Sequence, residues 1–86
     1  MREPAHSTDA RVVVYTRPNC HLCDVAVDIV AEVCSETGAS WKQVYISGND
    51  ALTAQFTDQV PVTYVDGEQH DFWRVDPERL TRALTA

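Results

Sequence analysis

Cys20 and Cys23 stand two residues apart in the stretch TRPNCHLCD, residues 16–24. Two thiols at this spacing serve as half of a zinc site, as a structural disulfide, or as a reactive dithiol. A structural zinc site takes four ligands, commonly two such pairs or one pair with two histidines. The remaining candidates are Cys34, His70 and His6. Cys34 follows Cys23 by eleven residues on the same expected helix, which puts it on the same face but roughly 16 Å further along. It cannot share a tetrahedral metal with Cys23, and no metal site is expected. The count of three cysteines is odd and does not fit a disulfide framework. A reactive dithiol fits best. An iron–sulfur cluster shared between two subunits, or two cysteines filling a helix end, are the alternatives.

As a dithiol, the two positions differ. Cys20 falls where a strand's loop meets a helix, and the unpaired N–H groups and dipole there favour a thiolate. Cys23 falls inside the first turn, within disulfide reach. Cys20 is then the exposed nucleophile, and Cys23 is the buried thiol that resolves the mixed disulfide. Arg17 and His21 flank Cys20 and favour its anion, His21 only when protonated. Cys34, in helical spacing with Val27 and Val30, reads as a small buried hydrophobe.

The surrounding elements must position that pair. RVVVYT, residues 11–16, is β-branched and aromatic and reads as a buried strand. Residues 21–37 read as a helix, with Val25, Ile29, Val30 and Val33 as its apolar set. Asp24, Asp28, Glu32 and Glu36 form a solvated stripe on another face, and Gly38 is the expected stop. WKQVYIS, residues 41–47, alternates as a strand. GNDALTAQFTD, residues 48–58, carries a short helix capped by Asn49 or Asp50. VPVTYVDGEQHDFWRV reads as two strands around the Asp66-Gly67 turn. Asp76-Pro77 opens a last helix with Leu80 and Leu84 on its apolar face. The order β-α-β-α-β-β-α, with one right-handed parallel crossover and one hairpin, predicts an α/β fold. Its mixed four-stranded sheet is flanked by helices.

The 86 residues suffice for one small domain, and the 44% apolar content supports a core. The first ten residues read as a disordered lead and residues 11–86 as the domain. Net charge is −6, with seven scattered Lys and Arg. That pattern argues against nucleic acid and against an anionic membrane as partner. No apolar run approaches the roughly 20 residues of a membrane span. The opening MREPAHSTDA lacks the hydrophobic region of a secretory signal. A monomer in the reducing cytoplasm is the expectation.

VVVYTRPNCHLCD together with the downstream QVPVTYVDG resembles the glutaredoxin-like branch of the thioredoxin superfamily. It is similar in particular to small bacterial glutaredoxin-like proteins with His-Leu between the cysteines. The resemblance spans roughly residues 11–84. It implies a thioredoxin fold and a thiol–disulfide oxidoreductase acting on protein disulfides. It also implies a cis Val60–Pro61 bond facing the dithiol, with the Val60 backbone pairing to an extended peptide or to glutathione. By the same carry-over Cys20 is the nucleophile and Cys23 the resolving cysteine. The sequence departs from the family in two places. His21 and Leu22 stand where many glutaredoxins have Pro-Tyr. Phe72, Trp73 and Arg74 replace a Gly-Gly turn before the last helix, leaving Asp76 as the stand-in for the acidic residue that holds glutathione. The electron donor is therefore left between glutathione and a thioredoxin-reductase-type partner. A non-catalytic binding module, or an iron–sulfur or metal carrier, is the alternative function.

Overall fold

The computed structural model describes residues 10–56 and 59–85. Residues 1–9 of the expected lead, with His6, lie outside the described residues. Seven elements follow the expected order: β1 Val12–Thr16, α1 His21–Thr37, β2 Trp41–Tyr45, α2 Asp50–Phe56, β3 Val62–Val65, β4 Glu68–Phe72 and α3 Pro77–Thr85. The sheet runs β2-β1-β3-β4. β1 and β2 are parallel, and both β1–β3 and β3–β4 are antiparallel. This is the mixed four-stranded sheet that the element order predicted, in the thioredoxin-type arrangement that the resemblance implied.

β1 is buried along its whole length, because helices cover both faces of the sheet. Successive side chains on a strand point to opposite faces, so its run of β-branched residues feeds two cores. Val12 and Val14 pack with Ala26, Val30 and Val33 of α1 and with Leu80 and Leu84 of α3. Val13 and Tyr15 pack with Leu52 and Phe56 of α2 and with Val62 and Tyr64 of β3. Cys20, Cys23 and Val60 belong to this second cluster. Its aromatic centre is Tyr15 stacked on Phe56 at 5.0 Å, with Tyr64 edge-on to both rings. Burial pushes the Tyr64 phenol up from its ordinary range.

Turn chemistry closes the elements where the residue types require. Gly38 sits at φ 77°, and its N–H donates to the Cys34 carbonyl, ending α1. Asp66 and Gly67 both have positive φ, as a two-residue hairpin of right-handed strands needs. Arg11 then pins that hairpin. Its Nε and Nη2 donate to both Asp66 carboxylate oxygens, at 3.0 and 2.9 Å, and its Nη1 donates to the Leu84 carbonyl. This bidentate bond holds the Asp66 carboxyl below its ordinary range.

Three local expectations are corrected and one is narrowed. β2 stops at Tyr45, because the Ile46 carbonyl accepts from the Asn49 N–H in a turn and the Ile46 side chain enters the α2 core. Of the two expected caps of α2, Asn49 is the one used, as expected: its Oδ1 accepts from the Leu52 N–H at 3.0 Å. β4 ends at Phe72 rather than running through Val75, because Trp73 takes a left-handed φ of 67°. Val25 is exposed; the buried stripe of α1 is Cys23, Ala26, Val30, Val33 and Cys34.

One buried polar group makes stability depend on pH. His70 Nε2 has no hydrogen-bond partner among the described residues. Burial, then the Arg79 charge, push its pKa below the ordinary histidine value, with Asp71 and Asp76 opposing. The 3.9 Å approach to Asp71 Oδ2 is therefore no ion pair at neutral pH, and Asp71 pairs with Arg79 at 2.8 Å instead. The unfolded chain takes up a proton at the unperturbed value of about 6.5 while the folded chain resists, so stability falls as pH drops below about 6.5. The urea midpoint should fall between about pH 7.5 and about pH 5.5. The fall should be smaller in His70→Gln; an equal fall in both proteins would assign the effect elsewhere.

Candidate functional site

The site lies at the C-terminal end of β1, where the chain leaves the sheet through Arg17, Pro18 and Asn19. Asn19 adopts φ 57°, a left-handed conformation that asparagine tolerates better than most residues. The bend delivers Cys20 in extended conformation, φ −123° and ψ 107°, as the N-cap of α1. In the cap its sulfur does what a serine or aspartate oxygen does elsewhere. Cys20 Sγ accepts from the Cys23 N–H at 3.2 Å, and the Cys20 carbonyl accepts from the Asp24 N–H at 3.1 Å. The two cysteines form a disulfide, with Cα atoms 5.2 Å apart.

Their accessibility differs in the expected direction, although the contrast is smaller than "exposed" against "buried". Cys20 is 9% exposed and Cys23 is 1% exposed. The expected exposed nucleophile is thus itself largely buried, at the edge of the second core cluster, in this disulfide-bonded state. Cys34 is buried in the other core cluster, roughly 16 Å further along α1, among Val30, Val33 and Leu84. Burial raises its thiol pKa, and nearby Arg11 opposes this. It takes no part in the Cys20–Cys23 cluster.

The other expected site residues separate into groups. Val60 packs in the same buried cluster as the two cysteines, and the Val60–Pro61 peptide is cis. Arg17 and His21 flank Cys20 and are exposed, with no salt bridge among the described residues. Asp76 is engaged elsewhere: its Oδ1 accepts from the N–H groups of Glu78 and Arg79, at 3.0 and 3.3 Å, and so caps α3. The described residues contain no group of three or more His, Cys, Asp or Glu placed to hold a metal ion. No helix among them is long and apolar enough to cross a membrane.

Sequence reasoning missed a groove beside the dithiol. One wall is the first two turns of α1, with Leu22, Val25 and Ile29; the other is the segment of Trp73, Arg74 and Val75. Leu22, which stands between the two cysteines in the chain, is the lining residue that adjoins them. The Trp73 N–H donates to the Pro61 carbonyl at 2.7 Å, which ties the far wall to the same end of the sheet. The signal was present as a second apolar stripe on α1: Leu22, Val25 and Ile29 recur at helical spacing beside the core stripe.

Comparison with known proteins places these features in a lineage. Residues 11–85 match the family model of the glutaredoxin-like domain (DUF836). The uncharacterized protein Rv0508 of Mycobacterium tuberculosis is 35% identical, over 81% of this chain and 77% of that protein. The X-ray structure of protein XcR50 from X. campestris superposes with a TM-score of 0.70 at 30% identity, covering 85% of this chain and 93% of that one. A thioredoxin from Halobacterium salinarum superposes with a TM-score of 0.60 at 25% identity, covering 88% and 74%.

Proposed function

Since the chain belongs to the glutaredoxin-like domain family, we propose that it is a thiol–disulfide oxidoreductase working through Cys20 and Cys23. One observation carries the reading. The more accessible cysteine of the pair caps a 17-residue helix, and its sulfur accepts a hydrogen bond from the backbone N–H of the other.

In the reduced protein that N–H and the helix dipole favour a thiolate at Cys20. The thiolate attacks one sulfur of a client disulfide. The client's S–S bond breaks, a bond forms between Cys20 and the attacked client sulfur, and the other sulfur leaves as thiolate. Cys23 loses its proton to solvent and attacks Cys20 Sγ. The Cys20–Cys23 bond forms, and the second client sulfur leaves as thiolate. The dithiol has lost two electrons and the client has gained them. A donor then restores the dithiol, glutathione or a thioredoxin-reductase-type partner by the same exchange in reverse. On this reading the backbone of Val60, which shares the buried cluster of the two cysteines, pairs with an extended client segment, and Arg17 and His21, which flank Cys20 in the chain, favour its thiolate, His21 only when protonated. A reducing cytoplasmic location suits a protein that must return to the dithiol.

The test is a thiol titration of the purified protein before and after dithiothreitol, with an absorption spectrum of the protein as isolated. The redox reading expects a reversible gain of two thiols and no visible colour. Colour with thiols that do not cycle would point to an iron–sulfur carrier instead.

A further inference from the structure

The groove beside the dithiol carries an inference about the client, and it rests on the oxidoreductase reading. Four large hydrophobic residues are exposed among the described residues: Leu22, Val25, Tyr45 and Trp73. Three of them, at 44%, 41% and 51% exposure, line this one groove. Scattered exposed apolar residues are ordinary on a protein surface, whereas clustered ones mark binding sites. The groove's volume is about 270 Å³, below the roughly 300–1,000 Å³ of a small-molecule pocket. That size suits one or two side chains of a peptide.

Charge supplies the second observation. The protein carries −6, yet the cation on the groove wall, Arg74, is left over. Arg11 is spent on Asp66 and Arg79 on Asp71. Arg74 forms no salt bridge among the described residues. An unpaired guanidinium at the rim of an apolar groove offers a carboxylate a partner.

We infer that this groove receives an apolar side chain next to the client's disulfide cysteine while Arg74 pairs with a carboxylate on the same segment. The preferred clients are then acidic, apolar peptide segments of oxidised proteins. Leu22 fixes the register: it lies between the reacting cysteines, so a side chain in the groove belongs to a residue close to the client sulfur. The carboxylate requirement also works by exclusion, because a basic client is repelled at Arg74.

The probes are three blocked pentapeptides, Ala-Cys-Leu-Asp-Ala, Ala-Cys-Leu-Lys-Ala and Ala-Cys-Ser-Asp-Ala. Each carries its cysteine as a mixed disulfide with thionitrobenzoate. Reduced protein releases coloured thionitrobenzoate in a single turnover. The Leu-Asp peptide should react about fivefold faster than the Leu-Lys peptide, the scale of an exposed charge pair. It should also outrun the Ser-Asp peptide. Arg74→Glu should invert the Asp-to-Lys ratio. A ratio near unity, or one that Arg74→Glu leaves alone, overturns the inference while colour release still supports the dithiol. If no peptide releases colour, the oxidoreductase reading fails by itself. The groove is then decided by amide shift mapping with the S-methylated Leu-Asp peptide. Shifts concentrated at residues 22–29 and 73–75 uphold it, and shifts elsewhere or none overturn it.

Discussion

Cys23→Ser is expected to accumulate a stable mixed disulfide through Cys20, and Cys20→Ser is expected to lose disulfide reduction altogether. The asymmetry follows from the cap. Only Cys20 combines solvent access with a backbone N–H on its sulfur. Serine at position 20 keeps the cap's geometry and its hydrogen bond, so the fold should survive while the nucleophile is gone. Serine at position 23 keeps the N–H that favours the Cys20 thiolate but removes the sulfur that would displace the client. Exposing both variants to an oxidised protein mixture and separating the products on non-reducing gels reads the difference. Bands that collapse with dithiothreitol should appear with Cys23→Ser and be nearly absent with Cys20→Ser. Equal trapping by the two would reverse or erase the division of roles.

The largest stability effect is expected at Phe56. This residue ends the seven-residue helix α2, is almost fully buried, and stacks on Tyr15 beneath the cluster that holds both cysteines. Removing a buried phenylalanine side chain costs about 3–5 kcal/mol, through lost transfer energy and the cavity left behind. A domain of this size has stability of the same order. Phe56→Ala should therefore be largely unfolded or melt far below the parent, and Phe56→Leu should recover much of the difference. Circular dichroism melts of the three proteins decide it. A Phe56→Ala melt within a few degrees of the parent would mean that the α2 side contributes little to the core.

These two expectations rest on features of unequal visibility in the sequence. The Cys-x-x-Cys pair, the β-branched run before it, the Asp66-Gly67 turn and the Asp76-Pro77 helix start are local signals, and each appears where its residue types demand. What escaped depends on contacts between distant segments. Val25 reads as core by hydrophobicity. Ala26 is a small residue that a count of large hydrophobes overlooks, and it joins Cys23 and Cys34, both expected to be buried, on the inward face instead. Trp73 looks like a strand residue, but its left-handed turn and its bond to the Pro61 carbonyl take it out of β4. The groove exists only because α1 and the segment before α3 are brought together, and neither stretch announces the other. Asp76 was legible as a cap, and capping is what its carboxylate does.

The central claim is that one client disulfide is reduced for each Cys20–Cys23 bond formed, with Cys20 attacking first. Mixing fully reduced protein with a limiting peptide disulfide, quenching with iodoacetamide and mapping the products by mass spectrometry tests it in one experiment. The account predicts one Cys20–Cys23 disulfide per client disulfide consumed, Cys34 recovered as a free thiol, and early quenches that hold the client on Cys20. Client sulfur found on Cys23 or Cys34, or client reduction without a Cys20–Cys23 bond, would contradict it.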